Sequence, residues 1–320
     1  MNQQQIDEMY MRRCLQLARN GMQNAKPNPM VGAVIVVPTS LTRRSSSSPY
    51  TIIGEGYHVR CGEGHAEVNA FASVRPEDEP LLREATIYVS LEPCAHFGKT
   101  PPCCDLIVRK AVKRCVVGCV DPFAKVQGRG IQRIREAGIE VTVGVLEKEC
   151  QALNKRFFTF HQRQRPYIIL KWAQTANGFI DNHGNALTIS TPYTKMLVHK
   201  LRTEVDAILV GRVTDEREHP LLNVREWIGR SPKRLVLTHE MTLDGLMAQC
   251  YEGGVQSLLV EGGRQTLQSF IDAGLWDEAR VETSAQCVDD GTAAPKLPST
   301  ATVVSRECID GNVIVAMASR

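Results

Sequence analysis

Between Gly64 and Cys104 the chain reads GHAEVNAFASVRPEDEPLLREATIYVSLEPCAHFGKTPPCC. His65 and Glu67 stand two residues apart, Cys94 follows a proline, and Cys103 and Cys104 follow a pair of prolines. A catalytic Zn²⁺ is tetrahedral, held by three protein ligands with the fourth position open to water. His65, Cys94 and one of Cys103 or Cys104 can supply the three. Glu67 is too close to His65 to be a convenient fourth ligand, but it is well placed to handle a proton. Zn²⁺ lowers the pKa of a bound water to ~7. Glu67 would then take the water's proton, hand it to a substrate ring nitrogen and help protonate a leaving amine. The carbon attacked would be an amidine-like C–NH₂ of a flat heterocycle, because that carbon accepts addition and then expels ammonia.

The elements around these residues place them consistently. Residues 66–73 read as a helix, so His65 and Glu67 lie at its N-terminus, where the backbone dipole favours a carboxylate. Residues 85–91 read as a strand that Pro93 ends, leaving Cys94 at the start of a loop. Pro101 and Pro102 suit the opening of a further helix, with Cys103 and Cys104 in its first turn. A helix N-terminus and a metal both lower a thiol's pKa. Helix 6–20, strands near 31–37, 51–56, 114–120 and 140–143, and helix 130–137 complete an alternation that predicts a β-sheet sandwiched between helices. The polar segment 39–50 reads as a hairpin loop. Asn28, between Pro27 and Pro29, has a stiff backbone on both sides, so its amide can be aimed; the plainer reading is a turn entering the strand. His96 and Lys99, between the metal cysteines, are candidates to hold an anionic group of the substrate. The pattern is that of zinc deaminases, H-x-E then P-C-x-x-C, but with eight residues between Cys94 and Cys103.

At 320 residues the chain is too long for one ordinary core. Hydrophobic residues make up 43% and charged residues 23%, a normal globular balance. A net charge of +3 is too small to argue for nucleic acid or an acidic surface as a partner. No apolar run approaches the ~20 residues of a membrane span, and the first residues do not resemble a signal peptide. Eleven irregularly spaced cysteines in such a chain predict reduced thiols plus metal ligands in the cytoplasm.

Residues 147–164 read as a polar, helical connector, and Arg165-Pro166 opens a second domain. Strands are expected at 167–173, 207–211, 234–238 and 255–260, with a helix at 192–204, a turn at Asn177-Gly178 and further strands beyond 278. Gly262-Gly263 lies between a strand and a helix start, a natural phosphate cradle.

The runs Pro27-Asn28-Pro29-Met30-Val31-Gly32, His65-Ala66-Glu67, Glu92-Pro93-Cys94-Ala95-His96-Phe97-Gly98-Lys99-Thr100-Pro101-Pro102-Cys103 and Asp121-Pro122 with Gly128-Arg129-Gly130 closely resemble the bifunctional riboflavin-biosynthesis deaminase/reductase family. The resemblance implies an N-terminal cytidine-deaminase-like three-layer α/β/α domain (1–150), a linker helix (151–164) and a shortened dihydrofolate-reductase-like α/β domain (165–320). It implies deamination of 2,5-diamino-6-ribosylamino-4(3H)-pyrimidinone 5′-phosphate, then NADPH-dependent reduction of the ribosyl to the ribityl side chain. It selects Cys103 over Cys104 as third ligand of one Zn²⁺ per chain, and gives Asn28, His96, Lys99 and Asp121 to the deaminase substrate. By the same match Arg202, Leu222, Arg225 and Glu261 take the reductase substrate, and Ala173, Thr214, Gly262 and Gly263 take NADPH. It also implies a homodimer through the reductase domain.

The chain departs from the family's pattern at several points. Phe123-Ala124 replaces the usual Asn-Pro, Asn177 stands in place of Asp, Thr188 stands where Trp is common, and Glu218-His219 replaces an acidic pair or Asp-Asn. The stretch between Leu237 and Val255 is short. Three other readings follow from these features: a deaminase with an inactive reductase-like domain, a nucleic-acid deaminase of related fold, and a closed structural zinc module in which Glu67 would have no purpose.

Overall fold

The computed structural model describes residues 1–319 except 43, 45–47, 97–100, 124–126 and 184–186. The chain divides into two compact units, Met1–Gln162 and Arg163–Arg320.

In the first unit, α1 (Gln3–Arg19) precedes β1 (Gly32–Pro38) and β2 (Tyr50–Tyr57); α2 (Ala66–Ala72) precedes β3 (Thr86–Leu91); α3 (Cys103–Lys110) leads to β4 (Arg114–Cys119), and α4 (Arg129–Glu136) to β5 (Glu140–Val143). The sheet order is β2-β1-β3-β4-β5, with β3, β4 and β5 parallel to one another and β1 antiparallel to β2 and β3. The inner strands β1, β3 and β4 are buried on both faces, so they read as largely apolar runs, whereas the edge strands β2 and β5 are only partly buried. Period-two alternation sends Ala33, Ile35 and Val37 into one core with Ala66, Ala70 and Ile107. Val34 and Val36 point to the opposite core, with Tyr10, Met11 and Leu15 of α1. The result is the expected α/β/α sandwich.

The connector is two helices, α5 (Glu147–Leu153) and α6 (Lys155–Arg163). Cys150, Phe157 and Phe158 pack in the α1 core, so this stretch belongs to the first unit and is not a free linker. Apolar positions inside a polar sequence account for the difference.

The second unit contains β6 (Tyr167–Gln174), α7 (Pro192–Glu204), β7 (Ala207–Gly211), α8 (Arg212–Glu218), β8 (Lys233–Leu237), α9 (Leu243–Glu252), β9 (Ser257–Val260), α10 (Arg264–Asp272), β10 (Glu278–Thr283), β11 (Thr302–Ile309) and β12 (Asn312–Ala318). Its sheet order is β11-β12-β10-β6-β9-β7-β8, parallel from β10 through β8, with an antiparallel β12–β11 hairpin at one edge. Ile168, Leu170 and Leu209 face one core and Tyr167, Ile169 and Ile208 the other. The short stretch after β8 is filled by α9, whose Leu246, Met247 and Cys250 pack into the first of these cores. No helix among the described residues is long and apolar enough to cross a membrane.

Candidate functional site

His65 caps α2 and Glu67 lies in its first turn. Cys94 follows β3, and Cys103 opens α3. His65 Nδ1 is 3.6 Å from Cys94 Sγ and 3.3 Å from Cys103 Sγ, and the donor atoms of the three residues lie within 4.8 Å of one another. Tetrahedral zinc with Zn–S of ~2.3 Å and Zn–N of ~2.0 Å sets its donor atoms ~3.5–3.8 Å apart, so this two-sulfur, one-nitrogen set fits the ion. The Cys103 N–H donates to Cys94 Sγ at 3.3 Å. The hydrogen bond from the Cys103 side chain, with further ones from His65 and that amide, holds the Cys94 thiol well below the usual range against the opposing effect of burial. Thiolate is the ligating form. Adjacent Cys104 points the other way, into the apolar core, where burial pushes its thiol up to about 11.

Glu67 is 3% exposed. Burial first, then the charge of Cys94, pushes its carboxyl up to about 7, with His65 opposing. A carboxyl in that range both accepts and returns a proton near neutral pH.

Asn28 Nδ2 lies 3.1 Å from His58 Nε2, and His58 Nδ1 lies 3.2 Å from the Gly64 carbonyl. A carbonyl only accepts, so His58 carries its proton on Nδ1, and Nε2 accepts from the Asn28 amide. Asn154 grips the same segment, accepting from Met30 N and donating to Met30 O, each at 2.8 Å. Asp121 is buried, accepts from Phe123 N at 2.8 Å, and is raised to about 6 by burial. His96 is exposed and meets the Phe123 ring edge-on at 6.3 Å; Phe123 in turn contacts His161 at 5.1 Å. An aromatic ring thus stands where the family has an amide. Lys99 lies outside the described residues.

Glu92 escapes a reading based on ligand types alone. Its buried carboxylate accepts from the backbone N–H groups of Gly128 and Gly130 at 2.9 Å, Asp121 at 3.3 Å and Ile131 at 3.4 Å. It ties the loop after β4 and the start of α4 to the Pro93-Cys94 turn. Gly130 makes that approach possible, because a Cβ there would meet the Pro93 carbonyl oxygen at 2.0 Å. Glu92→Ala strands buried donors, each costing ~1–3 kcal/mol. It is expected to lower the melting temperature of the first unit by several degrees and to weaken zinc retention, read by calorimetry and metal analysis. Glu92→Gln should lie between Ala and the unsubstituted chain.

In the second unit, Arg202 on α7 makes a two-pronged pair with Glu261 at 2.8 and 3.1 Å and donates to Asn223 O at 3.1 Å. Leu222 is buried with positive φ (50°), and Arg225 donates its backbone N–H to His199 Nδ1 at 3.2 Å. Of the four positions expected to hold the reductase substrate, Arg202 and Glu261 are in direct contact, while Leu222 and Arg225 lie on the loop that Arg202 and His199 bond at Asn223 and Arg225. Ala173, Thr214, Gly262 and Gly263 line one cavity of about 970 Å³ together with Glu261 and two of the departures, Thr188 and Glu218. The cavity lies at the carboxyl ends of the parallel strands, where open α/β sheets bind ligands. A Cβ on Gly262 would meet Thr266 Cβ at 2.8 Å. The bare backbone before α10 is therefore required, and it is a cradle suited to a dinucleotide phosphate. Asn177 is accommodated locally: its amide donates to Val288 O at 2.7 Å, which the usual aspartate could not do.

A family model for the cytidine and deoxycytidylate deaminase zinc-binding region matches residues 4–119, and one for the RibD C-terminal domain matches residues 166–285. Fold and sites thus define an enzyme with a zinc-dependent deaminase domain followed by a reductase domain that uses NADPH. The RibD riboflavin biosynthesis protein of Aquifex aeolicus is 34% identical over 332 aligned positions, covering 90% of this chain and 89% of the relative. A deaminase/reductase from Thermotoga maritima superposes with a TM-score of 0.88 at 31% identity, and Acinetobacter baumannii RibD with 0.86 at 26%, each over 100% of both chains. The chain belongs to the RibD family of riboflavin biosynthesis proteins.

Proposed function

We propose that the first unit deaminates 2,5-diamino-6-ribosylamino-4(3H)-pyrimidinone 5′-phosphate and that the second reduces the ribosyl of the product to ribityl. The observation that carries this reading is the convergence of His65 Nδ1, Cys94 Sγ and Cys103 Sγ within 4.8 Å, with a buried Glu67 in the adjoining helix turn. Zinc, when held by His65, Cys94 and Cys103, supplies Lewis-acid activation of a water. Glu67 would accept one proton of the water on a carboxylate oxygen and deliver it to the pyrimidine ring nitrogen; it would then take the second proton, from the hydroxyl now on the attacked carbon, and pass it to the departing amine, leaving a carbonyl and ammonia. Asn28, its Nδ2 taken by His58, presents Oδ1 to the donors of the pyrimidine edge. Asp121 and His96 hold the substrate further out, and Lys99 serves its phosphate.

In the second unit, NADPH supplies the reducing equivalent. The backbone N–H groups at the start of α10, after Gly262-Gly263, hold its phosphates, and Ala173 and Thr214 wall the cavity. Arg202, fixed by Glu261, and Arg225 bind the sugar phosphate, with Leu222 closing the apolar side. The enzyme is read as a cytoplasmic homodimer acting on a small molecule, not on nucleic acid or a membrane.

One assay tests the whole reading. The purified chain receives the diaminopyrimidine ribosyl phosphate and NADPH while ammonia release and NADPH oxidation are followed together. Both signals are expected, ammonia first. Ammonia without NADPH oxidation would leave a deaminase carrying an inactive reductase-like domain, with Thr188 and Glu218 on the cavity wall as the suspects. The absence of both signals would overturn the reading.

A further inference from the structure

Between α8 and β8 the chain makes a long irregular excursion that carries both Leu222 and Arg225. His199 and Arg202 are three apart on α7, so they share a face of that helix. Arg202 reaches the carbonyl of Asn223 at 3.1 Å, and His199 Nδ1 faces the amide of Arg225 at 3.2 Å. The two side chains therefore clamp residues 223–225 from one side, one as donor and one as acceptor. His199 is 3% exposed, and no role in the reaction given above uses it.

We propose that His199, in its neutral form with Nδ1 unprotonated, is a positioning residue that holds Arg225 for the pyrimidine ribosyl phosphate in the reductase site. The proposal rests on the reductase reading for its substrate but not for the clamp itself. An amide N–H only donates, so Nδ1 has to accept, and the ring proton sits on Nε2, which faces Glu226 Oε1 at 3.8 Å. The other charges facing the ring are Arg202 on its own helix, with Glu261 behind it, and Arg225 on the loop. Burial first, then the two arginines, holds the imidazole below its usual pKa, with Glu226 and the backbone of Asn223 opposing. Protonation would remove the acceptor and add a third positive charge beside Arg202 and Arg225. The acid limb of substrate binding is therefore expected below pH 6.5, the ordinary imidazole value.

The test uses the full-length, zinc-loaded chain with His199→Leu, which keeps bulk without an acceptor, and His199→Asn, which places an amide oxygen near the Nδ1 position. Hydrogen exchange at the Arg225 amide is measured without substrate. It is expected to rise about tenfold in His199→Leu and to return toward the parent in His199→Asn. Reductase kinetics on 5-amino-6-(5-phosphoribosylamino)uracil should show KM raised about tenfold in His199→Leu, with kcat and the NADPH Kd within about threefold. His199→Asn should restore KM and lose the acid limb. Unchanged exchange in His199→Leu would overturn the clamp whatever the reductase does. An equal rise in the NADPH Kd, or no rescue by Asn, would reduce His199 to a merely structural residue and overturn the proposal. A parent chain that binds NADPH but does not turn over this substrate would count against the reductase reading, while the exchange result would still decide the clamp.

Discussion

Glu67→Gln is expected to keep one zinc per chain and to slow ammonia release by about 10²–10⁴-fold, the usual contribution of a positioned acid/base group. Glutamine has the volume and planarity of the glutamate it replaces, so the pocket beside His65 keeps its shape. Folding should not suffer, because burial already disfavours the charged carboxylate and pushes it up to about 7. An uncharged amide therefore avoids a desolvation cost. The three donor atoms of His65, Cys94 and Cys103 are untouched, so metal content by atomic absorption should match the parent. The substitution separates holding the ion from moving the proton. Ammonia release at the parent rate would remove Glu67 from the reaction and favour a zinc-stabilised module with no chemistry of its own. The reductase assay on deaminated substrate serves as an internal control, since Glu67 lies in the other compact unit.

His65, Cys94 and a third ligand at Cys103 or Cys104 could be picked out because their chemistry is local, while the choice of Cys103 rested on the family resemblance. His65-Ala66-Glu67 spans three residues, and prolines mark the turns before Cys94 and Cys103. The strands were legible for another reason: a sheet covered on both faces needs an unbroken apolar run such as Ala33-Val34-Ile35-Val36-Val37, whichever face each side chain takes. What escaped depends on backbone groups brought together from afar. Asn154 holds Met30 across 124 positions, and Glu92 collects amides 29 to 39 residues away. His199 meets Arg225 26 positions on. Nothing in composition or periodicity marks such residues, because their partners are peptide groups that every residue carries.

Two helices were missed for different reasons. α8 (RVTDERE) has almost no apolar period to detect, whereas α9 did carry a signal. Thr242 caps it, accepting from Gly245 N at 3.1 Å, and Leu246, Met247 and Cys250 have helical spacing. A reading framed by what the family has there saw a gap instead of a helix. Asp310-Gly311 was likewise readable as the hairpin turn between β11 and β12, both residues having positive φ.

Cys103→Ser and Cys104→Ser form the sharpest pair of substitutions, because the two thiols are neighbours with opposite surroundings. Successive residues of a helix point ~100° apart, the consequence of 3.6 residues per turn. In the first turn of α3 this aims Cys103 at His65 and Cys104 into the core that also holds Ile107 and Ala66. Cys103→Ser replaces a soft thiolate with a hydroxyl that stays protonated near neutral pH. Zinc affinity should fall by more than the ~10–100-fold typical of losing a supporting residue, and ammonia release should fall with metal occupancy. Added zinc should restore part of the activity only where it restores occupancy.

Cys104→Ser should keep its zinc and its rate. Its cost is a buried hydroxyl among apolar side chains, about 1–3 kcal/mol, read as a lower melting temperature of the first unit. Asp105 Oδ1, 3.6 Å from the Cys104 sulfur, is too far for a good hydroxyl hydrogen bond and limits how much of that cost is recovered. The reverse outcome, zinc lost from Cys104→Ser and kept by Cys103→Ser, would move the third ligand one residue along. It would also require α3 to begin with a different rotation from the one set by Pro101-Pro102, carrying Cys104 out of a core in which it is completely buried.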